Sequence, residues 1–307
     1  MRMIIVGLGI QGKKRLQVAG SDCVATVDLF QPDARYKQVT DVPLDTFDAA
    51  LVCTPDEAKL EILTYLLSHG KHVLVEKPLF APSQAGLQHL CDLVKKHKVA
   101  CYTAYNHRFE PHFVRMKELI DSQKLGKLYR CRLFYGNGTA RDVRNSPWRD
   151  KNGGVIPDLG SHLLNTVFFW FGHCFDSFRL DKSYCFENKS PDHAIISAEG
   201  ALSLELEMTL LSWKNHFTCD LFGEKGSAHI ESLCKWGPSH FIVRTRKFPS
   251  GKPNEEICTL IQPDPTWVEE YQHFKKICQK AQTNLADDLA INAIFQQLLP
   301  TPLCEVL

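Results

Sequence analysis

Residues 4–12 read Ile-Ile-Val-Gly-Leu-Gly-Ile-Gln-Gly, an apolar run that opens into Gly7-x-Gly9-x-x-Gly12. Few stretches this short constrain a fold so tightly. After a buried strand, Gly7 allows a tight turn, Gly9 lets the backbone approach a pyrophosphate, and Gly12 lets the following helix pack on the strand. The helix start at Ile10 and Gln11 offers free N–H groups and a partial positive charge to the phosphates. Sixteen residues beyond Gly12, the apolar run Cys23–Val27 delivers Asp28, a carboxylate suited to accept hydrogen bonds from an adenosine ribose. The pattern predicts a dinucleotide ligand. Asp28 favours NAD, because its charge repels a 2′-phosphate, while Arg35 and Lys37 leave NADP open.

At 307 residues the chain exceeds the usual size of one core, which predicts two domains. A hydrophobic content of 44% with 23% charged residues belongs to a globular chain. The net charge of +1 supplies no attraction to nucleic acid or a membrane surface. No run reaches spanning length, and the N-terminus enters a strand without a signal-peptide pattern, so a cytoplasmic location is expected. The twelve cysteines are scattered singly, with no CxxC pair and no Cys/His cluster at zinc-ligand spacing. Free thiols and no metal are expected.

Strand-like runs at Met3–Val6, Cys23–Val27, Ala49–Cys53, His72–Val75 and Ala100–Tyr102 alternate with helical patterns near Gly12–Ala19, Ala58–His69 and Ser83–His97. Continuous apolar strands between helices imply a doubly wound parallel sheet covered on both faces. Its ligands bind beyond the carboxyl ends of the strands, where Thr54-Pro55 and Glu76-Lys77-Pro78 fall. After about residue 104 the character changes. Helices are expected at His112–Ser122 and Leu159–Phe171, with a strand at Leu128–Tyr135 and a loop over 136–154 between them. β-type stretches then dominate, and helices close the chain at Val268–Lys280 and Ala286–Leu299. The alternation of Leu202, Leu204, Leu206 and Met208 suits an antiparallel strand with one wet face. The expected fold class is therefore α/β: a parallel-sheet domain over 1–103, then an α+β domain over 104–307 with an open, mostly antiparallel sheet. The C-terminal helix is free to pack back on the first domain.

Two further sites carry chemistry. Lys77, after a buried strand in a ligand crevice, can hydrogen-bond a substrate hydroxyl or protonate a carbonyl, with Glu76 holding it or contacting the cofactor; equally, it is an exposed lysine at a strand end. In Asp158-Leu159-Gly160-Ser161-His162, an acid and a histidine four apart share a helix face. The acid can orient the imidazole and raise its pKa toward neutrality, as a general base requires. Alternatively Asp158 caps the helix and His162 is half-buried between domains.

Together these motifs resemble the glucose-fructose oxidoreductase / inositol dehydrogenase / rhizopine catabolism (Gfo/Idh/MocA) family. The resemblance rests on the glycine loop, Asp28, Thr54-Pro55, the Gly70-Lys71-His72-Val73 lead into Glu76-Lys77-Pro78-Leu79, and Asp158–His162. It covers residues 3–125 and 150–172, and is architectural beyond them. It implies a Rossmann domain, hydride transfer between NAD(P) and a secondary alcohol or ketone of a sugar, sugar nucleotide or cyclitol, and a homo-oligomer, dimer or tetramer, built through the outer face of the second sheet. Lys77, Asp158 and His162 match the family's catalytic lysine, aspartate and histidine. Thr54, Pro55 and Glu76 are expected beside the cofactor, and Asn106 can contact the nicotinamide or a sugar hydroxyl. Trp148-Arg149 resembles a family position lining the nicotinamide end of the cleft, and Tyr105, Arg108 (at a family-like position) and Arg149 are candidate substrate contacts. Arg108 can equally be a structural tie. Where relatives often carry histidine, this chain has Arg15 and Lys59. An NAD-dependent glycoside hydrolase and a non-catalytic NAD-sensing regulator are the alternative readings of the same motifs.

Overall fold

The computed structural model describes residues 1–146, 149–151 and 153–299. Five strands, β1 (Met3–Val6), β2 (Cys23–Val27), β3 (Ala49–Val52), β4 (His72–Glu76) and β5 (Cys101–Ala104), form a parallel sheet in the order β2-β1-β3-β4-β5. Every residue of β1, β3 and β5 is buried, as strands covered on both faces must be. The helices α1 (Ile10–Ala19), α2 (Asp56–Ser68) and α3 (Gln84–His97) are the crossovers. α2 ends in a Schellman motif: Gly70, at φ +71°, donates to the Leu67 carbonyl at 3.0 Å, and Lys71 N donates to Leu66 at 3.0 Å. Helix α1 begins at Ile10, ahead of the expected Gly12. Strand order reverses between β1 and β3, so their carboxyl ends form the topological switch point. This half of the expected fold class is borne out.

The second sheet has eight strands: β6 (Leu128–Gly136), β7 (Phe175–Tyr184), β8 (His193–Gly200), β9 (Ser203–Thr209), β10 (His216–Gly223), β11 (Gly226–Glu231), β12 (Ser239–Thr245) and β13 (Asn254–Leu260). Their order is β13-β12-β11-β10-β6-β9-β8-β7. All pairings are antiparallel except β6 with β9, which keeps the sheet mostly antiparallel as expected. Leu204, Leu206 and Met208 of β9 point inward with Cys131, Leu133 and Tyr135 of β6. Between them, the outward residues form an ion-pair ladder, Arg132 to Glu207 at 2.7 Å and to Glu205 at 2.8 Å. Helices α4 (Pro111–Asp121) and α6 (Ser161–Phe171) cover the inner side, where Phe113 packs on Trp170 and Phe217. The loop expected over 136–154 carries a short helix, α5 (Ala140–Arg144), whose length is below what hydrophobic periodicity can register.

Two further helices, α7 (Thr266–Cys278) and α8 (Leu285–Leu298), close the described chain. The chain forms two compact units, Met1–Asn106 with Pro265–Ala293, and His107–Asp264 with 294–299. The change of unit falls after Asn106, and 265–293 goes with the first unit. There Thr103 Oγ1 of β5 donates to Asp288 at 2.7 Å, and Tyr271 donates to Asp22 at 2.7 Å.

Candidate active site

In the first unit, the β1–α1 turn is shaped by close contacts. Gly7 has φ +91°, and a Cβ on it would lie 2.8 Å from the Cys53 carbonyl oxygen. A Cβ on Gly12 would sit 1.8 Å from the Gly7 oxygen, so only glycine lets α1 start this close to β1. A Cβ on Gly9 would meet nothing among the described residues within 4 Å. The loop is thus tight against protein at its first and third glycines and open at the second. Ile10, the first helical residue, is 78% exposed, and the first N–H groups of a helix have no partner within the helix itself.

Asp28 follows β2 directly and ties the loop to it. Its Oδ2 accepts from Leu8 N at 2.6 Å, and its Oδ1 accepts from Phe30 N at 2.8 Å and Gln31 N at 3.0 Å. Burial works against ionisation, but these three donors outweigh it and hold the carboxyl below its ordinary value. A carboxylate has about four acceptor positions, so capacity remains for a ribose hydroxyl. Lys37 Nζ donates to the Gln31 carbonyl at 2.8 Å, and Arg35 Nη1 to the Val24 carbonyl at 3.4 Å. Just beyond β3, Thr54 Oγ1 is buried and has no hydrogen-bond partner among the described residues. An orphaned hydroxyl at the switch point, open space over Gly9 and a charged Asp28 fit a bound dinucleotide.

Glu76 ends β4, followed by half-buried Lys77 and the cis Lys77–Pro78 peptide. Glu76 Oε1 accepts from Arg15 Nε at 2.7 Å. Asn106 is buried, and its Nδ2 donates to Thr266 Oγ1 at 2.8 Å. Tyr105 is 1% exposed, with its hydroxyl donating to Asp288 at 3.1 Å. Pro55 precedes α2 as its N-cap residue.

In the second unit, Asp158 lies in a π-helical turn (Ile156–Gly160) that runs directly into α6, and His162 is in the first turn of α6. Asp158 Oδ2 pairs with Arg149 Nη2 at 3.3 Å. Burial, and then the Asp158 charge, push the Tyr135 phenol above its ordinary value, so the carboxylate is felt at Tyr135. The Tyr135 ring stands edge-on to His162, with centroids 6.0 Å apart. His162 is 7% exposed and stacks on His107, with centroids 4.1 Å apart and planes 21° apart. Arg149, Asp158 and His162 thus belong to one cluster with Tyr135 and His107. Arg108 is turned to α6, its Nε donating to Asn165 Oδ1 at 2.7 Å. Trp148 lies outside the described residues.

Residues 1–105 match the family described as an oxidoreductase family with an NAD-binding Rossmann fold, and residues 113–229 match the GFO/IDH/MocA C-terminal domain. The chain belongs to the GFO/IDH/MocA family. Residues 1–105 are that family's NAD-binding Rossmann domain. Glucose-6-phosphate 3-dehydrogenase of Bacillus subtilis is 27% identical over 42% of this chain and 38% of its own. An NADP+-dependent scyllo-inositol 2-dehydrogenase of the same organism is 27% identical over 74% of this chain and 73% of its own. The chain spans little more than a third of the length of the first curated relatives it matches, 37% and 38%. A levoglucosan dehydrogenase solved in complex with NADH has the same fold, with a TM-score of 0.83 at 16% identity over 97% of this chain and 95% of that one.

Within each unit, several residues that contact the candidate residues escape sequence reasoning. Asn165 is three residues after His162 on α6, a spacing that could have flagged it. Thr266 and Glu270 come from the segment that returns to the first unit, and no local pattern links them to the glycine loop. His107 sits between expected site residues, yet nothing in its spacing marks a stack on His162.

Proposed function

We propose that this chain transfers hydride between NAD(P) and a secondary hydroxyl or ketone of a sugar, sugar derivative or cyclitol. The observation that carries the reading is the pairing of an open Gly9 with an orphaned, buried Thr54 hydroxyl at the strand ends where Lys77 emerges. NAD(P), when bound, supplies the hydride acceptor or donor. Gly7, Gly9, Ile10, Gln11 and Gly12 hold its pyrophosphate through backbone N–H groups, Asp28 its ribose, and Thr54, Pro55, Glu76 and Asn106 the rest. Asp28 makes NAD the preferred cofactor. Lys77 orients the reacting oxygen and stabilises its developing charge. His162 takes the hydroxyl proton during oxidation and returns it during reduction. Asp158 positions substrate and imidazole, with Arg149 as its ion-pair partner. Similarity to a glucose-6-phosphate 3-dehydrogenase and a scyllo-inositol 2-dehydrogenase supports the substrate class.

Incubation with NAD+ and a panel of myo-inositol, scyllo-inositol and glucose 6-phosphate should produce NADH absorbance with at least one compound. Tight NAD binding by calorimetry, with no turnover of any polyol, sugar phosphate or sugar nucleotide in either direction, would overturn the reading. We also propose self-association through the outer face of the eight-stranded sheet, and a reducing, cytoplasmic setting in keeping with the free thiols among the described residues. Light scattering that gives a monomer mass would remove the first. Among the described residues no helix is long and apolar enough to cross a membrane.

A further inference from the structure

Arg15 and Lys59, the two departures from the family pattern, are both buried cations, 1% and 2% exposed. Each reaches one end of the Glu76-Lys77-Pro78 tripeptide. Arg15 Nε donates to Glu76 Oε1 at 2.7 Å, while its Nη2 donates to Glu270 Oε2 at 2.6 Å and its guanidinium lies 4.3 Å from the Trp267 ring centroid. Lys59 Nζ donates to the Pro78 carbonyl at 2.7 Å and to Asp56 Oδ1 at 2.7 Å. The residues immediately before and after Lys77 are therefore each held by a buried cation. One comes from the helix that follows the glycine loop, the other from the next crossover.

Burying a cation is costly, and well-packed apolar residues at such positions often stabilise a fold as well or better. Stability alone is a poor reason for two of them at one turn. Geometry is a better one. A lysine side chain has four rotatable bonds, so the reach of its ammonium is only as defined as the backbone from which it starts. We propose that Arg15 and Lys59 are positioning residues that clamp the Glu76–Pro78 turn and thereby aim Lys77. The proposal rests on the reading of Lys77 as the group that acts on the substrate oxygen. It makes the ion pair with Glu270, on the segment that returns to the first unit, part of the same device.

The test uses Lys59→Met, Lys59→Arg, Arg15→Lys and, as reference, Lys77→Met in the NAD-bound full chain. Lys59→Met leaves Asp56, whose side chain is 43% exposed, free to turn to water, so the fold is retained. With a panel compound that turns over, kcat should fall roughly tenfold to hundredfold in Lys59→Met and Arg15→Lys, while the Kd for NAD changes less than about threefold. Lys59→Arg should recover kcat to within about threefold, because a guanidinium can serve both acceptors. Independently of any substrate, amide hydrogen exchange across residues 77–81 should speed up roughly tenfold in Lys59→Met and not in Lys77→Met. Normal kcat and normal exchange in Lys59→Met would overturn the clamp. Full turnover in Lys77→Met would instead overturn the reading of Lys77, whatever the clamp does to exchange.

Discussion

The glycine loop makes a prediction in which stability and binding separate. Gly9 has φ −66° and ψ −166°, which alanine adopts without strain, and its new Cβ would meet no atom of the described residues within 4 Å. Loss of unfolded-chain entropy in Gly9→Ala gains about 0.4–1 kcal/mol. The poorer N-cap costs about 0.5–1 kcal/mol, so the net change in stability is within about 1 kcal/mol of zero. The methyl group, however, stands where a phosphate oxygen must come within about 3 Å of the loop amides. Losing one charge-assisted hydrogen bond of about 1.5–3 kcal/mol raises the Kd for NAD roughly tenfold to hundredfold. Gly12→Ala should behave in the opposite order. Its Cβ would fall 1.8 Å from the Gly7 oxygen, so α1 has to withdraw from the turn. Such overpacking costs about 1–3 kcal/mol, a fall in Tm of roughly 2–12 °C. Calorimetric titration with NAD and thermal melts of both variants check this. The reasoning fails if Gly9→Ala binds NAD within threefold of the parent chain, or if both variants lose the same stability.

Asp28→Ala removes the acceptor for three backbone amides and for the ribose, so NAD affinity should fall roughly tenfold to hundredfold, while NADP, relieved of the repulsion, should lose less; paired titrations measure the ratio. Burial holds the imidazoles of His72 and His112 below the ordinary value of 6.5. A depressed folded pKa means the unfolded chain binds more protons, so stability is full above about pH 6.5 and declines as pH falls below it. The urea midpoint should therefore drop between about pH 7 and about pH 5, and less so in His112→Phe, which keeps the stack on Phe241. Phe113→Ala, fully buried between Trp170 and Phe217, should cost about 3–5 kcal/mol by urea unfolding, with NAD affinity retained.

The parallel sheet is legible in the sequence because its strands are short, mainly apolar runs separated by helical patterns. The strand bounds at Met3–Val6 and Cys23–Val27 agree with the structure to the residue. The glycine loop and Asp28 are legible because their contacts are local and each needs one residue type. What stays hidden depends on distant chain. Glu270, Thr266 and Asp288 complete the first unit from its returning segment, and nothing in their own neighbourhoods predicts the partners they find. The parallel pairing of β6 with β9 is hidden for the same reason, since alternation shows which face is wet and not which strand lies alongside. Arg15 and Lys59 read as departures from a family pattern, and only their burial against the tripeptide ends shows what replaces it.

The proposed chemistry turns on the Lys77 ammonium just after β4, and Lys77→Met removes that group alone. Lys77→Met should bind NAD with nearly the affinity of the parent chain and lose turnover of any accepted polyol or sugar phosphate by orders of magnitude. Unchanged turnover in Lys77→Met, with NAD bound, would rule out Lys77 as the group that acts on the substrate oxygen.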